Sequence, residues 1–430
     1  MRTSASVKID NPVIFKQKML TWSLQFREII FLDSNDYPSQ YSNYDSILAV
    51  DAFTSIKTDF NNAFDDLKQY QQSAKDWIFG YLSYDLKNNT EDLKSSNFDG
   101  LGFSDLYFFQ PKKLFLLKEN NLEIKYLNLC DEEIEADLKE IQNTNCESKL
   151  AKNPTKTAIQ QRISKHEYLN KLSKMFNYIN LGDIYEANFC MEFFAENADI
   201  NPIEIFKKLN AISEPPFAVF LKNNMQFLLS ASPERYLKKD ENTIISQPIK
   251  GTARRHPDLE EDEKIKNELF LNEKERSENI MIVDLVRNDL SKTAQKGSVA
   301  VNELCKPYTF KQVHHLISTV TSQLDEQYSA VDVIKSTFPM GSMTGAPKIS
   351  AMKIIEELEE TKRGLYSGAV GYFTPEGDFD FNVVIRSILY NQEIKYLSFS
   401  VGSAITAEAV AEQEYEECML KAKAMLTVLG

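Results

Sequence analysis

The sequence predicts an α+β protein in which antiparallel sheets carry helices on their outer faces. Short apolar runs between polar turns, as in residues 76–86 and 105–117, indicate buried strands. In the second half of the chain, segments with apolar residues at helical spacing, such as residues 166–183, alternate with further strands. Several of those strands are joined by short turns, and such hairpins favour antiparallel pairing.

The composition is that of a globular protein. The 430 residues predict two or three domains, with 43% apolar and 26% charged residues. The 49 basic and 63 acidic side chains give a net charge of −14, which argues against binding to nucleic acid or to an anionic membrane. No apolar run approaches the ~18 residues of a transmembrane helix. The first residues lack the apolar centre of a signal peptide.

The cysteines and histidines argue against disulfide bonds and against a histidine-rich metal site. The five cysteines are widely spaced and form no CxxC pair, so we expect reduced thiols in a cytoplasmic protein. Four histidines are too few to favour a histidine-rich metal site.

A boundary is predicted near residue 155. A charged helix over 132–142 is followed by the polar segment 143–157, which has the composition of a linker. The chain therefore divides into an N-terminal region, 1–155, and a second region, 156–430. No phosphate-binding loop, GxGxxG motif or metal-ligand spacing occurs in the first.

Four segments of the second region have clear patterns. The expected elements are a helix over 166–183 ending at Gly182, a hairpin over 217–239 turning at Asn223 and Asn224, a strand over 242–255 that enters a turn at Gly251, and a hairpin over 367–390 turning at 375–378.

Two predicted helices each carry an E-x-x-E pair. Glu275 and Glu278 form the first pair, and Glu414 and Glu417 form the second. Spacing of i, i+3 places both side chains of a pair on one face of the helix. If the two helices face one pocket, their carboxylates suit Mg²⁺, which takes one or two carboxylates together with substrate oxygens and water. The alternative is an ordinary solvated helix surface.

The glycines are unevenly distributed. Six of the 14 lie between Gly341 and Gly377. A glycine-rich turn there leads into a helix with Pro347 in its first turn and Lys362 and Arg363 in its last. The free amides at such a helix start favour an anionic group. A tight turn with only a packing role is the alternative.

One lysine and one glutamate are candidates for acid–base and nucleophilic chemistry. Lys250 is predicted where a strand enters a turn, and Glu234 on the neighbouring strand. If Lys250 points into a pocket, desolvation would lower its pKa and give a neutral amine nucleophile. A partly buried Glu234 could keep a proton near neutral pH and act as a general acid.

These segments together resemble the chorismate-utilising enzymes. The resemblance lies in blocks that occur in the family's order from about residue 160 to 430: GDIYEANFC, SASPERYL, QPIKGTARR, SENIMIVDLVRNDL, FPMGSMTGAPK, RGLYSGAVGYF, VVIRSIL and VGSAITAEAVAEQEYEEC. The family's fold implies that the antiparallel sheets form a β-sandwich with helices outside. It also implies that residues 156–430 form the catalytic domain and that the N-terminal region is partly interwoven with it.

The resemblance implies which residues bind Mg²⁺ and which contact chorismate. Mg²⁺ would be held by Glu278 and Glu417, with Glu275 and Glu414 supporting it from one turn away or through water. The positions that match the family's chorismate contacts are Gly251, Thr252, His315, Ser342, Tyr366, Arg386, Gly402, Ser403 and Ala404. A guanidinium can bind both oxygens of a carboxylate, which suits Arg386 to this role.

Lys250 indicates a branch of the family. The segment PIKGT is typical of the members that form aminodeoxychorismate, whereas those that form anthranilate have alanine at this position. The implied chemistry is attack of Lys250 on C2 of chorismate, departure of the C4 hydroxyl with help from Glu234, and addition of ammonia at C4. The sequence has no glutaminase nucleophile motif, so the ammonia is expected from a separate glutamine amidotransferase subunit.

Alternatives and departures accompany this interpretation. Anthranilate formation with a tolerated Lys250 is the main alternative. Formation of isochorismate or salicylate is disfavoured, and an inactive regulatory or partner-binding subunit is an alternative of another class. VGSAIT replaces a GAG-type turn, Ser342 stands where threonine is usual, and Glu186 stands where glutamine is frequent. None of these is expected to touch Lys250, Glu234, Glu278 or Glu417.

Overall fold

The computed structural model describes residues 1–38, 40–146, 157–311 and 313–430. The boundary predicted near residue 155 lies outside these ranges. The helices of the described residues are α1 (Pro12–Ser23), α2 (Ala63–Ala74), α3 (Lys87–Thr90), α4 (Ile134–Asn143), α5 (Lys165–Leu181), α6 (Pro202–Ser213), α7 (Leu259–Leu271), α8 (Glu273–Ser291), α9 (Ala330–Thr337), α10 (Lys348–Leu358) and α11 (Ala411–Leu429).

Strands make up the rest of the regular structure. Those of the described residues are β1 (Arg2–Lys8), β2 (Glu28–Asp33), β3 (Ser46–Thr58), β4 (Ile78–Leu82), β5 (Leu106–Lys118), β6 (Asn121–Leu127), β7 (Gln160–Gln161), β8 (Glu186–Ala195), β9 (Phe217–Asn223), β10 (Gln226–Ser232), β11 (Arg235–Asp240), β12 (Thr243–Gln247), β13 (Ile249–Arg254), β14 (Ala300–Thr309), β15 (Val313–Gln323), β16 (Gly345–Ala346), β17 (Ala369–Phe373), β18 (Phe379–Val383), β19 (Ser387–Asn391) and β20 (Tyr396–Thr406).

Antiparallel pairing joins these strands into two leaves that meet at β3 and β5. One leaf runs from β5 through β4, β17, β18, β11 and β12 to β15, which also pairs with β13 and β14. The other runs from β3 through β2, β9, β10, β19 and β20 to β8. This architecture confirms the predicted α+β class with antiparallel sheets and helices outside.

Two apolar cores hold the leaves and helices together. One lies between the leaves and includes Ile30, Val219 and Phe381. The other lies between the second leaf and helices α1, α4, α5, α6, α10 and α11, with Tyr168 and Met425 among its buried side chains. Both cores contain residues from both sides of residue 155, and β2 and β4 pair directly with β9 and β17. The N-terminal region therefore shares its sheets and cores with the rest of the chain.

Several predicted elements are confirmed. Helix α5 begins at a capping box formed by Ser164 and Glu167 and ends at Gly182, whose φ of 83° suits a residue without a side chain. The hairpin of β9 and β10 turns at Asn224 and Met225, one residue later than predicted, and that of β17 and β18 turns at residues 374–378. Four of the five unpaired cysteines are buried, as expected of core thiols.

The strand predicted over 242–255 is wrong in two respects. Pro248 has no amide hydrogen to donate to a ladder and separates β12 from β13. Gly251 does not end a strand at a turn. It lies within β13 at a shift of register between Lys250 and Thr252 opposite β15.

Two other predicted elements also differ from the structure. Helix α10 ends at Leu358, so Lys362 and Arg363 lie beyond it. The Arg363 side chain is buried. It donates to the Glu359 carboxylate and to the backbone carbonyls of Met343 and Asn188. The segment VGSAIT was predicted as a turn and is the last part of β20, because it pairs residue by residue with β8. No helix in the described ranges is both long and apolar enough to span a membrane.

Candidate active site

The candidate site lies where β13, β8 and β20 approach the first turns of α8 and α11. Lys250 is placed by the irregular register of β13. Gly251, with φ of 80°, allows the extra residue between Lys250 and Thr252. The Lys250 side chain is only 10% exposed, and its Nζ lies 2.7 Å from Oε1 of Glu186.

The expected neutral lysine is wrong for the ligand-free chain. Burial by itself would lower the pKa of Lys250, but the Glu186 carboxylate, with further contributions from Glu278 and Glu234, raises it above the usual lysine value. Lys250 is therefore an ammonium at rest. An attacking amine needs a free lone pair, so a proton has to leave Lys250 before it can act as a nucleophile.

Glu186 was not predicted as part of the site, and the expectation that it does not touch Lys250 is wrong. It is the first residue of β8 and is 1% exposed. The amide of Tyr185 donates to the carbonyl of Ala346 at 2.7 Å, which fixes the start of the strand. The departure from the family's frequent glutamine was the signal, but only the pairing of distant strands shows that this carboxylate faces Lys250.

Glu234 lies next to Lys250 but not on the strand predicted for it. It comes immediately before β11, and β13 pairs with β15. Its carboxylate accepts a hydrogen bond from the amide of Ile249, the residue before Lys250. Burial raises the pKa of Glu234 to about 7, and the nearby Ser342 hydroxyl and the Lys250 charge limit the rise. Near neutral pH this carboxyl is poised to give or take a proton.

The two E-x-x-E pairs face each other across one space. Lys274 lies between the helices, with its Nζ 3.8 Å from Glu278 and 3.6 Å from Glu414. The side chains of Glu278 and Glu414 are only 12% and 5% exposed. This burial excludes a solvated surface for these two carboxylates, whereas the Glu417 side chain is 48% exposed.

The four carboxylates have unequal affinities for protons. Burial raises the pKa of Glu278 to about 7. Burial, together with repulsion from Glu417, also raises the pKa values of Glu275 and Glu414. Burial opposes ionisation of Glu417 too, but Lys421 at 2.6 Å prevails and lowers the pKa of Glu417. Glu417 on α11 thus lies close enough to Glu275 on α8 and to Glu414 for their charges to interact.

The donor chemistry fits a hard cation. Buried carboxylates that repel one another are stabilised by a divalent ion, and Mg²⁺ prefers such oxygen ligands. Within the described ranges, no three His, Cys, Asp or Glu side chains are arranged to hold a metal ion. Lys274 and Lys421 supply the positive charge instead. Glu278 and Glu417 thus remain predicted Mg²⁺ ligands.

Three buried polar atoms around Lys250 have unused hydrogen-bonding capacity. Among the described residues, Glu186 Oε2 and His315 Nε2 are buried without a hydrogen-bond partner, and Ser342 Oγ is buried with only the Glu234 carboxylate nearby to accept from it. Buried polar atoms in folded proteins are almost always paired. Atoms of this kind on β8, on β15 and in the glycine-rich segment are therefore available to hydrogen-bond with a polar ligand.

His315 has a ring nitrogen that is free to accept a hydrogen bond. Its Nδ1 lies 3.2 Å from the carbonyl oxygen of Gly251 and 2.9 Å from the Thr252 hydroxyl. A carbonyl can only accept, so Nδ1 carries the proton and Nε2 keeps a lone pair. Burial and the charge of Arg386 lower the pKa of His315 to about 3, so the ring is neutral at physiological pH.

Arg386 and Tyr366 were both predicted as substrate contacts. Arg386 occupies the break between β18 and β19 with φ of 51°, and its carbonyl accepts from the amide of Ala231 at 3.1 Å. Its guanidinium has no hydrogen-bonded partner among the described residues and is attracted by Glu234 and Glu417. Tyr366 is 4% exposed, with its hydroxyl 3.7 Å from the sulfur of Cys190.

The backbone at 402–404 is only partly open to a ligand. Gly402 and Ala404 lie opposite Cys190 and Asn188 of β8, whose amides donate outside this strand pair. In antiparallel strands, paired and unpaired positions alternate, so the amides of Gly402 and Ala404 point away from β8. The amide of Ser403 takes part in the ladder, and the Ser403 hydroxyl lies 3.2 Å from that of Tyr168.

Comparison with known proteins agrees with this arrangement. The chorismate binding enzyme family matches residues 28–427. The chain is 33% identical over 387 residues to aminodeoxychorismate synthase component 1 of Bacillus subtilis, covering 88% of this chain and 80% of that protein. It is 34% identical over 356 residues to anthranilate synthase component 1 of Thermus thermophilus, covering 81% and 76%.

The fold has a close counterpart among solved structures. The crystal structure of anthranilate synthase component I from Streptococcus pneumoniae superposes with a TM-score of 0.79 at 24% sequence identity, covering 90% of this chain and 93% of that one. The family match extends over most of the chain, including strands β2 to β6 before residue 155. The chain therefore belongs to the chorismate-binding enzyme family.

Proposed function

We propose that this chain converts chorismate and ammonia to 4-amino-4-deoxychorismate, a precursor of p-aminobenzoate and folate. The observation that carries the proposal is a buried primary amine, Lys250, beside Glu234, a carboxyl with a pKa of about 7. A hydroxyl leaves poorly without a proton donor, and covalent catalysis divides such a substitution into two easier steps.

The proposed reaction begins with Lys250 as the free amine. Its nitrogen bonds to C2 of the ring, the ring double bond shifts, and the C4–O bond breaks while Glu234 donates its proton, so that water leaves. Ammonia then bonds to C4 and the C2–N bond to Lys250 breaks. Glu234 removes a proton from the new C4 ammonium and is ready for another cycle. Overall, an amino group replaces the C4 hydroxyl group, one water is released, and the ring undergoes no net oxidation.

The carboxylates of chorismate need anchors away from the reacting carbons. The Arg386 guanidinium and the outward amides of Gly402 and Ala404 offer donors for one of them. When bound by Glu278 and Glu417, Mg²⁺ would neutralise the ring carboxylate and act as a Lewis acid. Tyr366 and the neutral His315 then contribute a hydroxyl donor and a nitrogen acceptor to the substrate.

We further propose that the ammonia comes from a separate glutamine amidotransferase subunit. The support is the absence of a glutaminase nucleophile motif from the sequence, together with the words "component 1" in the name of the Bacillus subtilis relative. Ammonium salts should replace this partner in vitro, so the chain can be assayed by itself.

Anthranilate formation is the second candidate, because the Thermus thermophilus relative, an anthranilate synthase component 1, is 34% identical to this chain, against 33% for the Bacillus subtilis relative. One incubation separates the two. The purified chain is mixed with chorismate, Mg²⁺ and ammonium, and the product is identified by mass. Aminodeoxychorismate retains the enolpyruvyl group, whereas anthranilate is fluorescent and appears with pyruvate. Anthranilate as the main product would overturn the proposal.

The role of Lys250 has its own test. Lys250→Ala should reduce aminodeoxychorismate formation by ~10³-fold or more, as expected for loss of a covalent nucleophile. Chorismate binding in the presence of Mg²⁺, followed by calorimetry, should persist. Lys306→Ala is the matched control, since Lys306 lies on β14 beside the same strand β15 and is 55% exposed. Full activity of Lys250→Ala would exclude the covalent route.

A further inference from the structure

Glu186 is buried and paired with Lys250, yet the reaction proposed above gives it no role. Its Oε1 accepts from Lys250 Nζ at 2.7 Å, and its Oε2 is buried without a partner. A buried carboxylate that uses only one oxygen for an ion pair has lost hydration without full compensation. Such an arrangement is costly if its only role is structural.

Lys250 is surrounded by acidic groups from three elements. Glu186 faces it from β8, Glu278 from α8 and Glu234 from the segment before β11. Together they hold the lysine as an ammonium, although burial opposes that charge. Each turnover therefore has to begin with the removal of one proton from Nζ and end with its return.

Only one of these three carboxylates is positioned to receive that proton. In the proposed reaction Glu234 must carry a proton of its own for the departing hydroxyl. Glu278 is a predicted metal ligand, and within the described residues the ion pair of Lys250 shorter than 4 Å is the one with Glu186. Transfer from Nζ to Oε1 needs no movement of either side chain, because the two atoms already share a hydrogen bond.

We propose that Glu186 is the base that takes a proton from Lys250 as its nitrogen attacks the ring and returns it after the lysine is released. The inference rests on the proposed amination. The ion pair becomes a neutral amine and a carboxylic acid, the amine forms and later breaks the bond to C2, and the original ion pair is restored. Protons and electrons balance without another reactant.

The variant Glu186→Gln tests whether Glu186 acts as a base, positions Lys250, or only keeps Lys250 charged. Glu186→Gln keeps the side-chain shape and a carbonyl that accepts from Nζ, but it cannot take up a proton. We expect kcat for amination to fall by ~10²-fold, the usual contribution of a general base. The KM for chorismate should stay within about threefold, because ground-state binding is unchanged.

Other roles predict other outcomes for the same variant. If Glu186 only positions the lysine, the glutamine should give a wild-type kcat. If it only keeps the lysine charged and inactive, its removal should raise kcat. Either result overturns the inference. Glu186→Asp, which retains a carboxylate, should be more active than Glu186→Gln. Glu196→Gln makes the same change at an exposed position just after β8 and should behave as wild type.

A measurement without turnover separates this inference from the proposed function. Acylation of Lys250 by acetic anhydride, followed by mass spectrometry over a pH series, reports its pKa in the ligand-free chain. The midpoint should be lower in Glu186→Gln than in the wild type, and an unchanged midpoint would overturn the inference. If the wild type makes no aminodeoxychorismate, the proposed function fails. If it does, and Glu186→Gln is equally fast, only the inference fails.

Discussion

Two glutamates of the site have pKa values shifted in opposite directions by their surroundings. Glu234 is 4% exposed, and burial raises its pKa to about 7. The Glu417 side chain is 48% exposed and pairs with Lys421, which lowers its pKa. One side chain is suited to proton transfer and the other to constant negative charge, as required of an acid and a cation ligand.

Replacing Glu234 by glutamine should remove the acid. We expect Glu234→Gln to lose ~10²–10⁴-fold in kcat, the range of a general acid's contribution. In the wild type the acid must be protonated, so its contribution is full below pH 7 and declines as pH rises through its pKa of about 7. A pH–rate profile checks this. A wild-type alkaline limb that persists unchanged in the variant would assign the limb to another group.

Some residues of the site could be predicted from the sequence, and others could not. Lys250, Glu234 and Arg386 were predicted by type and motif, and the structure brings Lys250 and Arg386 close enough to Glu234 to limit the rise in its pKa. The state of Lys250 was predicted wrongly, because its pKa depends on Glu186, which is 64 residues away in the chain. Electrostatic partners of this kind depend on the fold and have no local signature.

Among the elements, β13 sets the direction of the lysine. The shift of register at Gly251 lets Lys250 and Thr252 both reach the site. A methyl group on Gly251 would lie 3.1 Å from Glu275 Oε2 and 3.2 Å from a methyl of Leu316. The glycine therefore serves both the backbone conformation and the close approach of α8.

Gly251→Ala should destabilise the fold and displace the lysine. The left-handed conformation costs ~1–2 kcal/mol for a residue with a side chain, and the contacts with α8 should add to it. Gly182→Ala is the control, since Gly182 has φ of 83° and an added methyl would meet nothing within 4 Å. Urea unfolding should show a larger loss for Gly251→Ala, with reduced kcat only in that variant. Equal losses would mean that the contacts with α8 add nothing.

Helices α8 and α11 meet through their acidic first turns. Lys274 joins Glu278 to Glu414, which explains how these carboxylates remain buried in the ligand-free chain. A cation bound between the helices would compete with this lysine for the same oxygens. The positive charge near Glu278 and Glu414 is therefore supplied by Lys274, and a Mg²⁺ ion bound between α8 and α11 would take over that role.

Glu417→Gln tests the predicted metal site. We expect a weaker apparent affinity for Mg²⁺, by ~10-fold or more since a charged ligand is lost, and a lower kcat at saturating chorismate. Glu416→Gln is the control, because Glu416 is the adjacent residue of α11 and is 67% exposed. Magnesium titrations of activity supply the measurement. Identical Mg²⁺ dependence in both variants would contradict the assignment of Glu417 as a ligand.

At the scale of the whole molecule, the two regions predicted from the sequence form shared sheets. Strand β4 pairs with β17, and β2 pairs with β9. The core between the leaves draws side chains from both regions, and Phe381 is one of its fully buried members. The C-terminal strands of the site are therefore supported by strands from the start of the chain.

Unfolding should be cooperative across the predicted boundary. Both tryptophans, Trp22 and Trp77, lie in the first 155 residues, so their fluorescence reports on that region while circular dichroism reports on the whole. The two urea transitions should coincide, because separation would break the shared ladders and cores. A fluorescence midpoint well below that of circular dichroism would indicate independent regions.

A substitution in the shared core should confirm this coupling. Phe381→Ala should cost ~3–5 kcal/mol of unfolding free energy, the usual range for a buried phenylalanine, and shift both transitions together. Phe53→Ala, at a side chain that is 51% exposed, should have little effect. A shift confined to circular dichroism would show that the core does not join the two regions.

The sequence by itself determined the α+β class, most helices and hairpins, the E-x-x-E pairs and the motifs of the chorismate-binding family. These features depend on local periodicity, turn residues and short motifs, which are complete within a few residues of each other. The register shift at Gly251 opposite β15, the strand at 402–404 and the partner of Lys250 were decided by the tertiary structure. Each depends on which distant strand lies alongside, and hydrogen-bonded register and charge pairing between segments far apart in the chain exist only once the sheets have formed.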